Sequence, residues 1–208
     1  MQSISDVDLI FRIAGSQSEG RSIIAIAGPP GSGKSTFAEK LDAELNAISA
    51  GSSAILPMDG FHFDDMVLVP RGLRPRKGAP ETFDVAGFAH MIGRLRDNLE
   101  PEVAVPVFDR SIEIARAGAR TIPRTVRTVI VEGNYLLLDR SPWNELKFDL
   151  TVMVEFDREV LRQRLLQRWL DLGMDLLEAS SKVKDNDMIN ADLVKASSRS
   201  PHFSLRTP

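Results

Sequence analysis

The sequence predicts an α/β fold: a three-layer architecture with a mainly parallel sheet, helices on both faces and a small hairpin insertion outside the sheet. Three observations predict it. Short, continuous apolar runs at 22–28, 128–131 and 150–156 have the length of strands buried on both faces. They alternate with longer stretches whose apolar residues recur at helical spacing. A glycine-rich segment stands between the first apolar run and the first long helical stretch.

The elements follow in chain order. Ile4, Val7, Ile10, Phe11 and Ala14 predict a short amphipathic helix capped by Ser5 or Asp6. The strand at 22–28 comes next, then a helix at 36–48 with Phe37, Leu41 and Leu45 on one side. A strand at 53–58 ends on Asp59. The segment 60–82 is rich in Pro, Gly, Arg and Lys, and an irregular loop of that length inside a compact fold usually carries function. Asp84 suits the N-cap of a helix with Phe88, Met91, Ile92, Leu95 and Leu99 on one side. Residues 103–108 read as a strand, and 112–116 and 119–122 as a hairpin turning around Gly118. The strand at 128–131 leads into Glu132-Gly133-Asn134, and the strand at 150–156 follows. Helices are expected at 158–172, 174–184 and 187–197, with a last strand at 203–206.

The chain has 208 residues, enough for one domain, 1–208, with a full core. A net charge of −3 gives no reason to expect a nucleic-acid partner. The absence of cysteine excludes disulfides and zinc–thiolate sites. No apolar run approaches the roughly 18 residues that cross a membrane, and the first residues lack a secretory pattern. The expectation is a cytoplasmic protein with no membrane partner, and a homodimer stays open.

Residues 28–36, Gly-Pro-Pro-Gly-Ser-Gly-Lys-Ser-Thr, fill the pattern G-x-x-x-x-G-K-[ST]. They lie where a phosphate loop must lie, between a strand and a helix N-terminus. Backbone N–H groups and the helix dipole converge there on an anion. Gly28, Pro29, Gly31, Ser32, Gly33, Lys34, Ser35 and Thr36 are therefore the candidate nucleotide-binding residues. Glycines let the backbone wrap phosphates, Lys34 can bridge the β- and γ-phosphates of ATP, and the Ser35 hydroxyl can ligate Mg²⁺.

Three further features carry chemistry. Asp59 stands at a strand end beside this loop, in Met58-Asp-Gly-Phe-His62. Phosphoryl transfer to an alcohol needs a proton acceptor at such a place, and Asp before Gly is also an ordinary turn residue. Glu132 ends a strand and can hold Mg²⁺ through its water shell, or serve as a loop glutamate. The helix from Arg158 carries Arg158, Arg162, Arg164 and Arg168, which can close over transferred phosphates or form a solvated face. Of the histidines, only His62, near Asp59, invites a functional reading. His90 lies in a helix and reads as structural.

Together these segments resemble the phosphoribulokinase, uridine kinase and bacterial pantothenate kinase family of P-loop kinases, from about residue 23 to 194. The resemblance rests on 28–36, Met58-Asp-Gly-Phe-His62, Arg76-Lys-Gly-Ala-Pro-Glu-Thr-Phe-Asp84, Phe108-Asp-Arg110 and Val131-Glu-Gly-Asn134, in that order. It implies that Asp59 is the catalytic base, that Glu132 assists the metal and that Arg164 and Arg168 are lid arginines, with Arg162 as a third. Gly78 stands where uridine kinases carry a ribose-holding aspartate, and the 77–84 run is closer to that of pantothenate kinases. The chain also resembles short bacterial relatives of its size labelled fructose transport system kinases, a label that implies a sugar acceptor.

The reading is an ATP- and Mg²⁺-dependent kinase acting on a hydroxyl of a small metabolite, a sugar first, pantothenate or a nucleoside next. His62, Glu81, Asp84, Asp109 and Arg110 are candidates to orient the acceptor. The rival classes are a GTP switch, which needs an N-K-x-D guanine reader, and an ATPase module, which carries a motif such as L-S-G-G-Q. Neither motif occurs.

Overall fold

The computed structural model describes residues 2–16 and 20–206. Its main sheet has six strands, all parallel: β1 (Gln2–Ser3), β2 (Ser22–Ala27), β3 (Ser53–Pro57), β6 (Thr128–Gly133), β7 (Leu150–Glu155) and β8 (Phe203–Arg206). They lie in the order β1-β8-β7-β2-β6-β3. Strand alternation sends Ile23, Ala25 and Ala27 into one core and Ile24 and Ile26 into the other. Each fully buried isoleucine contributes roughly 1.5–3 kcal/mol. A strand apolar on both faces is stable only with both faces covered, which is why the central runs show no polar alternation.

On one face, Leu9 and Ile13 of α1 (Asp6–Ala14) and Phe37, Leu41 and Leu45 of α2 (Lys34–Ile48) close the core. The other is closed by Phe88, Ile92 and Leu95 of α4 (Val85–Asp97), together with Tyr135–Leu138 and Trp143. Between β3 and α4 lies a short helix, α3 (Asp65–Leu68). A third cluster joins α5 (Arg158–Asp171) to the segment formed by α6 (Leu176–Lys182), a π-helical turn (Val183–Asp187) and α7 (Met188–Ser197). Among the described residues, no helix is long and apolar enough to cross a membrane.

The register positions the site. Ala27 pairs with Gly133, and Pro57 with Glu132, so β2, β6 and β3 end level. The segments that follow these three strands therefore leave the same edge, where ligands bind in parallel α/β sheets.

Four expectations change. The buried face of α1 is Leu9 and Ile13, while Val7 and Phe11 are exposed, because the helix docks on α2 and β8 through its i, i+4 pair. Leu99 lies past the end of α4, which stops at the left-handed Asn98, and is exposed. The strand before Asp59 ends at Pro57, and Asp59 sits in a 3₁₀ turn, Met58–Phe61. The hairpin is built from β4 (Glu102–Asp109) and β5 (Ile114–Pro123), and it reverses at 110–113 instead of at Gly118. Gly118, at φ 63°, occupies a bulge within β5. The hairpin does stand outside the main sheet.

Candidate active site

The phosphate loop leaves β2 and opens α2 with Gly33 at φ 86°, a left-handed conformation that only glycine adopts without strain. A Cβ on Gly28 would stand 2.6 Å from Ser32 Oγ, so the loop is wound too tightly for a side chain there. No side chain caps α2, and its first turn carries no acidic residue. Its free N–H groups and positive dipole end are left for an anion. Gly31, Gly33, Lys34, Ser35 and Thr36 line an open cavity of about 590 Å³ with Arg110, Arg164 and Arg168.

Lys34 is buried. Desolvation pulls its ammonium down, while the charges of Glu132 and Asp59 act in the opposite direction. Ser35 Oγ donates to Glu132 Oε2 at 2.9 Å. Burial pushes the Glu132 carboxyl up, and Lys34 and the Ser35 bond counter it. A serine hydroxyl and a carboxylate side by side beneath a phosphate loop are hard oxygen donors, the set that Mg²⁺ takes.

Asp59 lies across the cleft from this loop. Burial pushes its carboxyl up, but His62 when protonated, together with Arg110, Lys34 and Arg168, holds it below the usual carboxylate range. Arg110, from the hairpin tip, donates to Asp59 Oδ2 at 2.6 Å. His62 is wedged between Phe83 and Phe108, with ring centroids 4.0 and 4.7 Å away. Burial lowers its pKa and keeps the imidazole neutral. Its Nδ1 meets the Asp59 carbonyl at 2.8 Å. Because that partner only accepts, Nδ1 is the donor and Nε2 is left as an acceptor.

Lys34, Asp59, His62, Arg110 and Arg168 all line a second, smaller cavity of about 80 Å³. The expected residues therefore divide. Asp59, Lys34, Arg168, His62 and Arg110 are brought together, and Ser35 and Glu132 form a hydrogen-bonded pair beside them. Arg164 lines the larger cavity beside the phosphate loop. The structure does not bring Glu81, Asp84 and Asp109 to the cleft. Asp84 accepts from the Gly87 N–H as the N-cap of α4. Asp109 is engaged by Ser111 and Arg116 within the hairpin, and Glu81 faces solvent. Arg162 pairs with Glu159, and Arg158 with Asp192, on the outer side of α5. His90 is exposed on α4.

The cleft also contains residues outside the expected set. Lys77 is buried and donates to Asp65 Oδ1 and to the Glu113 carbonyl, both at 2.7 Å. Glu113 adopts φ 56° at the hairpin turn, strain of the kind that collects at functional sites. Trp169 Nε1 donates to Asp187 Oδ2 at 2.6 Å, and Arg168 and Lys182 lie over its ring. Arg76 reaches Asn186 Oδ1 at 2.7 Å and Asn190 Oδ1 at 3.3 Å, tying the 74–78 loop to the π-helical turn. The Tyr135 hydroxyl donates to the Gly78 carbonyl at 2.6 Å and holds that loop over the sheet. The K-G-x-P-E and E-G-N motifs point to Lys77 and Asn134. Nothing near Asp187 in sequence points to it.

A phosphate loop at the carboxyl edge of a parallel sheet, with its lysine and a facing carboxylate on one cavity, defines a P-loop kinase. No family model matches the chain. Its sequence is 36% identical over 187 residues to YggC of Escherichia coli, covering 86% of this chain and 75% of that protein. It is 32% identical over 195 residues to a Schizosaccharomyces pombe protein named "Putative uridine kinase C227.14", covering 89% and 83%. A crystal structure from Silicibacter sp. TM1040, described as a "putative fructose transport system kinase", superposes with a TM-score of 0.89 at 39% identity, over 99% of this chain and 100% of that one. The chain belongs to the phosphoribulokinase, uridine kinase and pantothenate kinase family of P-loop kinases, and it is an ATP-dependent kinase of a small metabolite.

Proposed function

We propose that the acceptor is a small hydroxylated metabolite, a sugar first, and that Asp59 takes the proton of the hydroxyl that attacks the γ-phosphoryl of ATP. The supporting observation is that Asp59 and Lys34 face the same small cavity, with Arg110 and Arg168 beside them. The lysine side is the nucleotide side, so the remainder of the cavity is left for the acceptor. Asp59 is ionised at neutral pH, and the loose transition state of phosphoryl transfer needs a positioned acceptor of the proton more than a strong one. Lys34, Arg168 and Arg164 carry the charge that spreads over the transferred group. Ser35 and Glu132 are the residues that would hold Mg²⁺, which would supply positive charge to offset that of the phosphates. Arg110 and His62 orient the acceptor beside Asp59. Glu81, Asp84 and Asp109 drop from that role, since Asp84 and Asp109 are engaged elsewhere and Glu81 faces solvent.

The fructose in the Silicibacter protein's description supports a sugar, and the uridine kinase name keeps a nucleoside as the second reading. The residues act as one domain, and an ATP-dependent metabolic enzyme fits the cytoplasm. The test measures ATP consumption and phosphorylated product with sugars, pantothenate and nucleosides. A sugar should stimulate turnover most. A nucleoside that outpaces every sugar would reverse the ranking, and turnover stimulated by none of them would remove the small-metabolite reading.

A further inference from the structure

Asn134 directly follows Glu132-Gly133 at the end of β6 and lines the same small cavity as Asp59 and His62. The residue is only 7% exposed. Its Oδ1 is fully buried and has no hydrogen-bond partner. Three other buried polar side chains of this wall are satisfied by protein. Lys77 holds Asp65 and the Glu113 carbonyl, Asp187 accepts from Trp169, and Asn190 bonds Asn186 and Arg76. Buried amides are nearly always paired, so a lone unpaired one on a ligand cavity requires an explanation.

Relaxation cannot readily supply a partner. The backbone at Gly133 is clamped against Met58, whose Cβ would stand 2.5 Å from an added methyl. Tyr135, on the other side, is fully buried and tied to Gly78. The backbone that carries this amide is therefore held in place at the cavity wall. A hydroxyl both donates and accepts, so it satisfies this amide whichever way the group is turned.

We propose that Asn134 is a specificity-determining residue that hydrogen-bonds a second hydroxyl of the acceptor, one that is not phosphorylated. The proposal rests on the kinase reading above and narrows it: the acceptor is a polyol, and a lone alcohol is rejected. Rejection follows because an acceptor lacking that hydroxyl leaves the buried amide unpaired.

The test compares wild type with Asn134→Leu, a near-isosteric apolar change, and with Asn134→Ala in case the leucine variant does not fold. The probes are D-fructose, glycerol, pantothenate and uridine, then the monodeoxy analogues of whichever turns over fastest, and 1-propanol as the lone alcohol. For wild type, deleting one particular hydroxyl should lower kcat/KM by about 10- to 100-fold. Either variant should lose a similar factor with the parent acceptor, chiefly through KM, and almost nothing more with that deoxy analogue. KM for ATP should not move, which a merely structural role for Asn134 would not ensure. A variant that still discriminates fully against every deoxy analogue overturns the proposal and leaves the kinase reading standing. So does 1-propanol as the best acceptor. If no probe stimulates ATP turnover, the small-metabolite reading and the proposal fall together.

Discussion

Replacing Asp59 by Asn removes a proton acceptor and leaves nearly everything around it in place. The contacts that shape the 3₁₀ turn use the Asp59 carbonyl, which accepts from the His62 backbone N–H at 3.2 Å and from its Nδ1 at 2.8 Å. Those survive the change. The lost ion pair is with Arg110, whose side chain is 47% exposed. Solvent takes over much of that guanidinium's charge, so the pair contributes at most about 1 kcal/mol. For a chain of this size that shifts Tm by only about 2–4 °C. Nucleotide affinity should hold or improve, since Lys34, Arg110 and Arg168 lose a competing negative charge. The kinetic loss is larger. A positioned general base contributes about 10²–10⁴-fold. At about 1.36 kcal/mol per tenfold, that is roughly 2.7–5.5 kcal/mol of barrier. The assay is acceptor-dependent ADP release with ATP titrated, beside thermal unfolding. A fall of kcat within that range, at unchanged KM for ATP, is the expected result. A kcat within tenfold of wild type refutes the base role, and an equal loss of ATP binding points to a metal-holding or structural aspartate.

The remaining predictions concern its neighbours. Arg110→Met should raise the Asp59 pKa, because a charge that lowers it is gone while burial persists. Asp59 works ionised, so activity is lost as pH falls through its pKa. The acid limb of the kcat profile should therefore lie below the usual carboxylate range in wild type and move to higher pH in this variant; an unmoved limb assigns it to another group. Glu132→Gln keeps the Ser35 contact but weakens a hard donor, and should raise the Mg²⁺ concentration needed for half-maximal rate by about tenfold. An unchanged Mg²⁺ titration leaves Glu132 as a structural partner of Ser35. Arg168→Ala should lower kcat by roughly 10²- to 10³-fold, whereas Arg162→Ala, paired with Glu159 outside, should leave it within about twofold. Equal effects would mean that the α5 arginines act only through the helix. In Gly60→Ala the new methyl would run into the Pro106 carbonyl, so Tm and activity should fall together by an overpacking cost of about 1–3 kcal/mol; a fully stable variant would show that the hairpin is not held against Asp59.

Local physics is legible in the sequence. Apolar runs of strand length, the glycines and lysine of 28–36, the Asp84 cap, the placement of Glu132 at a strand end and that of Asp59 just past one all depend on a few neighbouring residues. Each such pattern is decided by backbone geometry and periodicity. The hairpin turn is not legible, for the opposite reason. Gly118 looks like a turn, but the pairing of Phe108 with Ala115 and of Val105 with Arg120 makes it a bulge, and pairing partners are not encoded locally.

The cleft wall was beyond the reach of sequence. Arg158, Arg162, Arg164 and Arg168 are alike as sequence, and α5 docks through Leu161 and Leu165, which brings Arg168 to the cavity that Asp59 lines and leaves Arg158 and Arg162 on the solvent side. Asp187 meets Trp169 through a π-helical turn that no periodicity announces. Asp84, Asp109 and Glu81 have the chemistry of acceptor ligands. A helix N-terminus takes the first, a hairpin turn takes the second and solvent surrounds the third. A carboxylate's chemistry is set by its residue type, and its use by the donors that the fold brings within about 3 Å. Those donors come from segments up to a hundred residues apart, so the sequence by itself determined the phosphate loop and the carboxyl edge it occupies, while only the tertiary structure decided which side chains face the acceptor.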